Sequence, residues 1–170
     1  MPIEKLETEH RRILEMADAL ESQVAGPCPA TPEALMQNRW NFTRDVLSHL
    51  SSDEALLLLP LMSDRRPHIA QLASQSRAQL RALYDDFEAH MARWKGLPGE
   101  KEWPEYRRGV QGLMRRLRAR IAAEETGLHH FLPVQRGERQ VPDLPTNYVG
   151  GAWTIRDGIY ADSQASRGAS

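Results

Sequence analysis

The chain has 170 residues, enough for one domain with a single substantial core. Its 22 Lys and Arg nearly balance 23 Asp and Glu, so bulk charge calls for neither a nucleic acid nor an anionic membrane as partner. The lone cysteine, Cys28, excludes an intrachain disulfide and fits a reducing compartment. The charged amino terminus lacks the apolar run of a signal peptide, and Ala55 to Met62, the longest apolar stretch, is far short of the ~20 residues of a membrane span. A cytoplasmic, soluble protein is expected.

The first predicted helix runs from about Pro2 to Val24. Ile3, Leu6, His10, Ile13, Ala17, Leu20 and Val24 alternate at spacings of three and four, which draws one seam down a helix. A Gly26–Ala30 loop ends it. Thr31, Pro32 and Glu33 then make a helix start, with an N-cap hydroxyl, a first-turn proline and an acid near the positive dipole end. The second helix, about Pro32 to Leu61, has Leu35, Phe42, Val46, His49, Asp53 and Leu56 on its seam, and Pro60 is expected to end or kink it. The third opens near Pro67 and carries Ile69, Ala73, Ser76, Leu80, Leu83, Phe87, His90 and Trp94. Gly96 to Gly99 break it. The fourth opens near Trp103 and shows Tyr106, Val110, Leu113, Leu117, Arg120, Glu124 and Phe131. Four such seams with short connections predict an all-α, antiparallel up-down-up-down four-helix bundle over residues 1–133. Residues 134–170 lose the pattern and read as an extended tail. Its aromatics, from Tyr148 to Tyr160, are expected to dock on the bundle, on a protein partner or on a second copy, with the last residues loose. The arginines between Arg107 and Arg120 read as a solvated helix face.

Each seam also carries a metal-capable side chain near its middle: His10, His49 with Asp53, His90, and Glu124. A polar group on a core-facing stripe is costly unless paired or bound to a metal, and four of them suggest a common polar centre. His49 and Asp53, four residues apart, project from one helix face. Glu54 and Glu125 sit about 100° further round and are flanking candidates. Asp86, four residues before His90, is another from the edge of that face. Three imidazoles with two carboxylates offer the nitrogen and oxygen character that suits iron, zinc or manganese.

This pattern resembles the hemerythrin-like family, the HHE cation-binding domain, over roughly residues 1–133. The residues that carry the likeness are Glu9-His10, His49-x-x-x-Asp53-Glu54 running into Leu56-Leu57-Leu58-Leu59-Pro60, His90, and Glu124-Glu125. The resemblance implies a non-heme di-iron centre with bridging carboxylates, and with it binding of O2 or NO, iron or redox sensing, or peroxide chemistry. Two departures stand out. Arg120 occupies the place where the family's last motif opens with a histidine, and a guanidinium has no lone pair to give a metal. Thr126-Gly127-Leu128-His129-His130 replaces an apolar ending; His129 and His130 read as helix-end residues favoured by the dipole, or as compensating donors if Gly127 bends the helix.

Arg120 leaves three states open: two irons, one ion at His10, His49, Asp53 and Glu124, or no metal, with the guanidinium supplying the compensating charge. The corresponding functions are a non-heme iron protein for a small diatomic ligand or for iron and redox stress, a metal-free interaction module, and a di-iron oxidase or peroxidase.

Overall fold

A computed structural model describes residues 3–131, and the expected docking of the tail lies outside that range. Helix α1 (Ile3–Ala25) is followed by α2 (Glu33–Asp53), a π turn (Glu54–Leu58) and a short α3 (Leu59–Met62) that continues α2. The chain then reverses into α4 (Pro67–Arg93) and α5 (Trp103–Ala123), and ends in a second π turn (Glu124–Leu128) and a 3-10 turn (His129–Phe131). The result is an all-α four-helix bundle. Helix α1 packs on α2 and α5, while α4 packs on α5, on α3 and on the first π turn.

The seams become the core. Leu6, Ile13, Ala17, Leu20 and Val24 of α1 are buried with Val46, Leu47 and Leu50 of α2, Ile69, Ala73, Leu80 and Phe87 of α4, and Val110, Leu113 and Leu117 of α5. Each large aliphatic side chain buried this way contributes about 1.5–3 kcal/mol. Helix α2 starts one residue later than expected: Pro32 is its cap, no side chain caps it, and the first turn closes with the Met36 N–H on the Pro32 carbonyl at 2.9 Å.

Pro60 does not stop its helix. A proline ring collides with the carbonyl four residues back and removes a hydrogen bond. The π turn just upstream absorbs this, because the Leu59 N–H bonds back five residues to Glu54 and widens the turn before Pro60. The two halves of the bundle are also tied at the end remote from that turn. Helix α1 lacks a basic residue in its last turn, and Arg107 of α5 supplies one, donating to the carbonyls of Val24 at 2.6 Å and Gly26 at 2.9 Å. The Trp103 indole donates to the same Gly26 carbonyl at 2.8 Å. The arginine face is solvated at Arg108, Arg115 and Arg116 and half-buried at Arg107 and Arg118, with surface ion pairs from Arg116 to Asp86 and from Arg118 to Asp18 and Glu21.

At Gly109, α5 packs directly against the His90 side chain of α4. A Cβ there would lie 2.8 Å from His90 Cε1 and 2.9 Å from its Nδ1. At Gly112, three residues on, the nearest atom is an Arg115 guanidinium nitrogen at 4.0 Å. Glycine to alanine in a helix is worth about 1 kcal/mol when nothing is in the way, whereas overpacking costs about 1–3 kcal/mol. Gly112→Ala is therefore expected to raise the urea midpoint and Gly109→Ala to lower it; equal midpoints would show that the helices do not touch at Gly109.

Candidate metal centre

His10 on α1, His49 and Asp53 on α2, and Glu124 at the end of α5 meet in the bundle interior. One ligand-capable atom from each lies within 4.8 Å of the others, and all four residues are buried. His10 and Asp53 are wholly shielded from solvent. The two π turns open immediately after Asp53 and at Glu124, so the helical register changes where the carboxylates are presented. Such turns often mark functional sites.

The imidazoles are oriented from behind. His10 Nδ1 lies 2.8 Å from Glu125 Oε1, and His49 Nδ1 lies 3.4 Å from Glu9 Oε2. A carboxylate only accepts, so each Nδ1 is the donor and each Nε2 faces the centre. There, His10 Nε2 is 3.5 Å from Glu124 Oε2 and His49 Nε2 is 3.2 Å from Asp53 Oδ2. Neither Nε2, neither Asp53 oxygen and not Glu124 Oε2 completes a hydrogen bond, while Glu124 Oε1 is ion-paired with Arg120. Lone pairs facing lone pairs in a dry core repel until a proton or a metal cation stands between them. Histidines whose far nitrogen is held by a carboxylate are the usual form of metal-ligating imidazole.

Protonation follows the same crowding. Burial pushes the Asp53 carboxyl well above its usual range, the neighbouring Glu124 charge adds to this, and Arg120 opposes it. Burial also works against ionised Glu124, but its contacts with His10 and Arg120 outweigh it and keep the carboxyl below its ordinary value. His10 is raised because Glu124 and Glu125 together overcome the burial that disfavours its charge. Without a metal, the centre therefore stores protons.

Arg120 lies directly against Glu124, with its Nη2 3.9 Å from Asp53 Oδ2. Its Nη1 donates to the Ser76 carbonyl at 3.0 Å and to the Ser76 hydroxyl at 3.3 Å. The guanidinium thus occupies the gap between both carboxylates and α4, which it meets at Ser76.

His90, expected to complete the ring from α4, is not part of the cluster. The α3–α4 reversal fixes its depth. Asp53 is ten residues before Ser63 and Ser76 is ten after Arg66, so these two face each other; His90, twenty-four after Arg66, is level with Arg39, twenty-four before Ser63. Arg39 and Asp53 are fourteen residues apart, about 21 Å along a helix. The His90 ring stacks on Tyr106 at 5.5 Å instead.

The flanking candidates are elsewhere too. Asp86 pairs with Arg116 on the surface. Glu54 is buried but turned toward Arg77 and Arg81, at 2.6 and 3.3 Å. Glu125 contacts His10 from behind rather than joining the four donors. Glu9 was overlooked as a site residue because it lies off the seam. His129 is buried with its ring stacked 5.5 Å from that of His10, whereas His130 is exposed. Five residues beyond Glu124, His129 would be about 140° out of phase on an α-helix; the π turn brings it round.

Residues 1–132 match the family model of the hemerythrin HHE cation binding domain, and the chain belongs to that family. No curated protein and no solved structure matches it.

Two pH effects are expected. Metal binding must displace the protons held at Asp53 and His10, so affinity should rise with pH and calorimetry in buffers of different ionisation enthalpy should register net proton release; uptake without proton release would remove the shared-proton picture. Separately, burial and the Arg39 charge push His90 down to about 4. Between about 6.5 and 4 the unfolded chain takes a proton there that the folded chain refuses, so stability falls as pH drops, by up to about 3 kcal/mol. His90→Leu should flatten this limb of the stability–pH curve, and an unchanged slope would contradict a half-buried His90 kept neutral.

Proposed function

We propose that this is a non-heme iron protein that holds one ion at His10, His49, Asp53 and Glu124 and serves to bind or sense a small diatomic ligand such as O2 or NO. The observation that carries this reading is the inward set of two Nε2 atoms, both Asp53 oxygens and Glu124 Oε2, none with a hydrogen-bond partner, at the buried centre of the bundle. Two nitrogens and two or more oxygens suit ferrous iron, and fixed carboxylates behind each imidazole support it. Bound iron would supply a redox-active centre whose coordination capacity four protein donors do not exhaust. The chain's own contribution is to orient the imidazoles through Glu9 and Glu125, to exclude water, and to hold a compensating charge at Arg120. Family membership supports a cation as the occupant.

Arg120 argues for one ion rather than two, because its guanidinium takes the side of the carboxylates that a second cation would need. Protein purified from iron-replete medium is expected to carry about one iron per chain, by plasma mass spectrometry. Asp53→Asn should abolish it, and Arg120→His should raise the content toward two by supplying a nitrogen donor. The iron form should show a ligand-to-metal absorption that changes with NO. Iron-free protein whose stability ignores chelators would exclude the proposal.

A second reading keeps the centre metal-free, with Arg120 and the stored protons alone balancing the carboxylates, and makes the bundle an interaction module. The Arg120–Glu124 ion pair favours it. Arg120→Ala separates the two. If the guanidinium is the only compensation, the variant should lose about 3–5 kcal/mol that no metal restores; in the iron protein, added ferrous iron should recover much of the loss.

A further inference from the structure

The four donors of the centre are buried, so an ion that occupies them has to cross the protein. Stripping a divalent cation of its water inside an apolar wall is prohibitive, and passage therefore needs a polar, hydrated route. A cleft between α1 and α2 leads toward the donors, with a volume of about 150 Å³ and room for several waters. Its lining is Glu9, Arg12 and Ile13 from α1 and Asp45, Ser48 and His49 from α2. Of these six, His49 alone is also a donor of the centre. Arg12 and Ser48 are exposed, so the outer end opens to solvent.

The inner end is one imidazole thick. His49 Nδ1 meets Glu9 Oε2 on the cleft side at 3.4 Å, while its Nε2 lies 3.2 Å from Asp53 Oδ2 on the other side. The second imidazole is shut more firmly: Glu125 holds His10 Nδ1 at 2.8 Å, and the His129 ring stacks on it. At the mouth, Arg12 reaches across from α1 to Asp45 on α2 at 2.6 Å. Arg44 pairs with the same Asp45 at 2.8 Å, and Lys5 with Glu9 at 3.9 Å. All three cations are on exposed side chains, and pairs of that kind are weak. A divalent cation, with twice the charge, can displace them from the two carboxylates, whereas a neutral diatomic ligand would gain nothing from those groups.

We propose that this cleft is the port through which a hydrated divalent cation is loaded into the centre and withdrawn from it, with Arg12 as its latch and the His49 ring as its inner door. The inference rests on the reading of the centre as a cation site. Glu9 has two tasks in it: it meets the incoming ion in the cleft, and by letting go of Nδ1 it frees the ring to turn.

The test is stopped-flow uptake of cobalt(II) by the metal-stripped full chain, followed by the visible absorption of the bound ion, and its withdrawal by excess EDTA. Ser48→Trp puts a large ring into the cleft from an exposed position that is not a donor. It should slow uptake and release by the same factor, about tenfold or more, and leave cobalt content and spectrum at the parent's values. Ala34→Trp, exposed on the same helix about 21 Å from Ser48 by helical rise, should keep the parent's rates. Arg12→Ala should instead speed uptake, about tenfold at low salt and less at high salt, and it decides the matter if Ser48→Trp does not fold or alters the spectrum. Parent rates in Ser48→Trp with the spectrum intact, or uptake by Arg12→Ala no faster than the parent's, would overturn the port while leaving the metal centre standing. A parent that takes up no cobalt would show a blank spectrum and would overturn the cation reading and the port together.

Discussion

Asp53 and Glu124 bring negative charge into the buried interior of the bundle, and the arrangement around them is governed by how that charge is balanced. His10 and His49 approach with their Nε2 atoms, and Glu125 and Glu9 hold them in that orientation. Arg120 approaches from the opposite side and is itself anchored on the Ser76 backbone. Removing Arg120 takes away the one guanidinium that contacts both buried carboxylates. The apolar seams explain why the helices pack; the charge balance explains why they pack in a geometry with a polar centre instead of a continuous hydrocarbon core.

The two π turns show the backbone adapting to that demand. A π turn is rare because its hydrogen bonds are poorer than those of an α-helix, and it persists where it presents a side chain that regular geometry would misplace. Here both occur on the helices that bear the carboxylates. The first also accommodates Pro60, so that a residue expected to break the helix is carried through it. The second turns His129 inward onto His10, a position its distance from Glu124 would not otherwise allow.

Much of this was legible in the residue order because spacing of three and four reports which face of a helix is buried. His10, His49, Asp53 and Glu124 were visible as polar interruptions of that face, as was the choice of Asp53 over Glu54. Periodicity gives angle around a helix but not height along it, and His90 shares the angle of Ser76 while lying about four turns away. Counting residues outward from the α3–α4 reversal would have supplied the missing coordinate. Glu9, visible only as part of the family motif, was given no site role because it reaches the site from beside the seam. His129 depended on a π turn that no propensity announces.

The origin of the donors has a mechanical corollary. All four belong to α1, α2 and the π turn that continues α5, so an ion would lash three staves of the barrel together and leave the fourth outside the knot. Helix α4 meets the centre through the Arg120–Ser76 contact and through Glu54, beside Asp53, on Arg77 and Arg81. Through Arg120, which touches both carboxylates and the Ser76 carbonyl, α4 is tied to the centre by a positive charge and not by a donor.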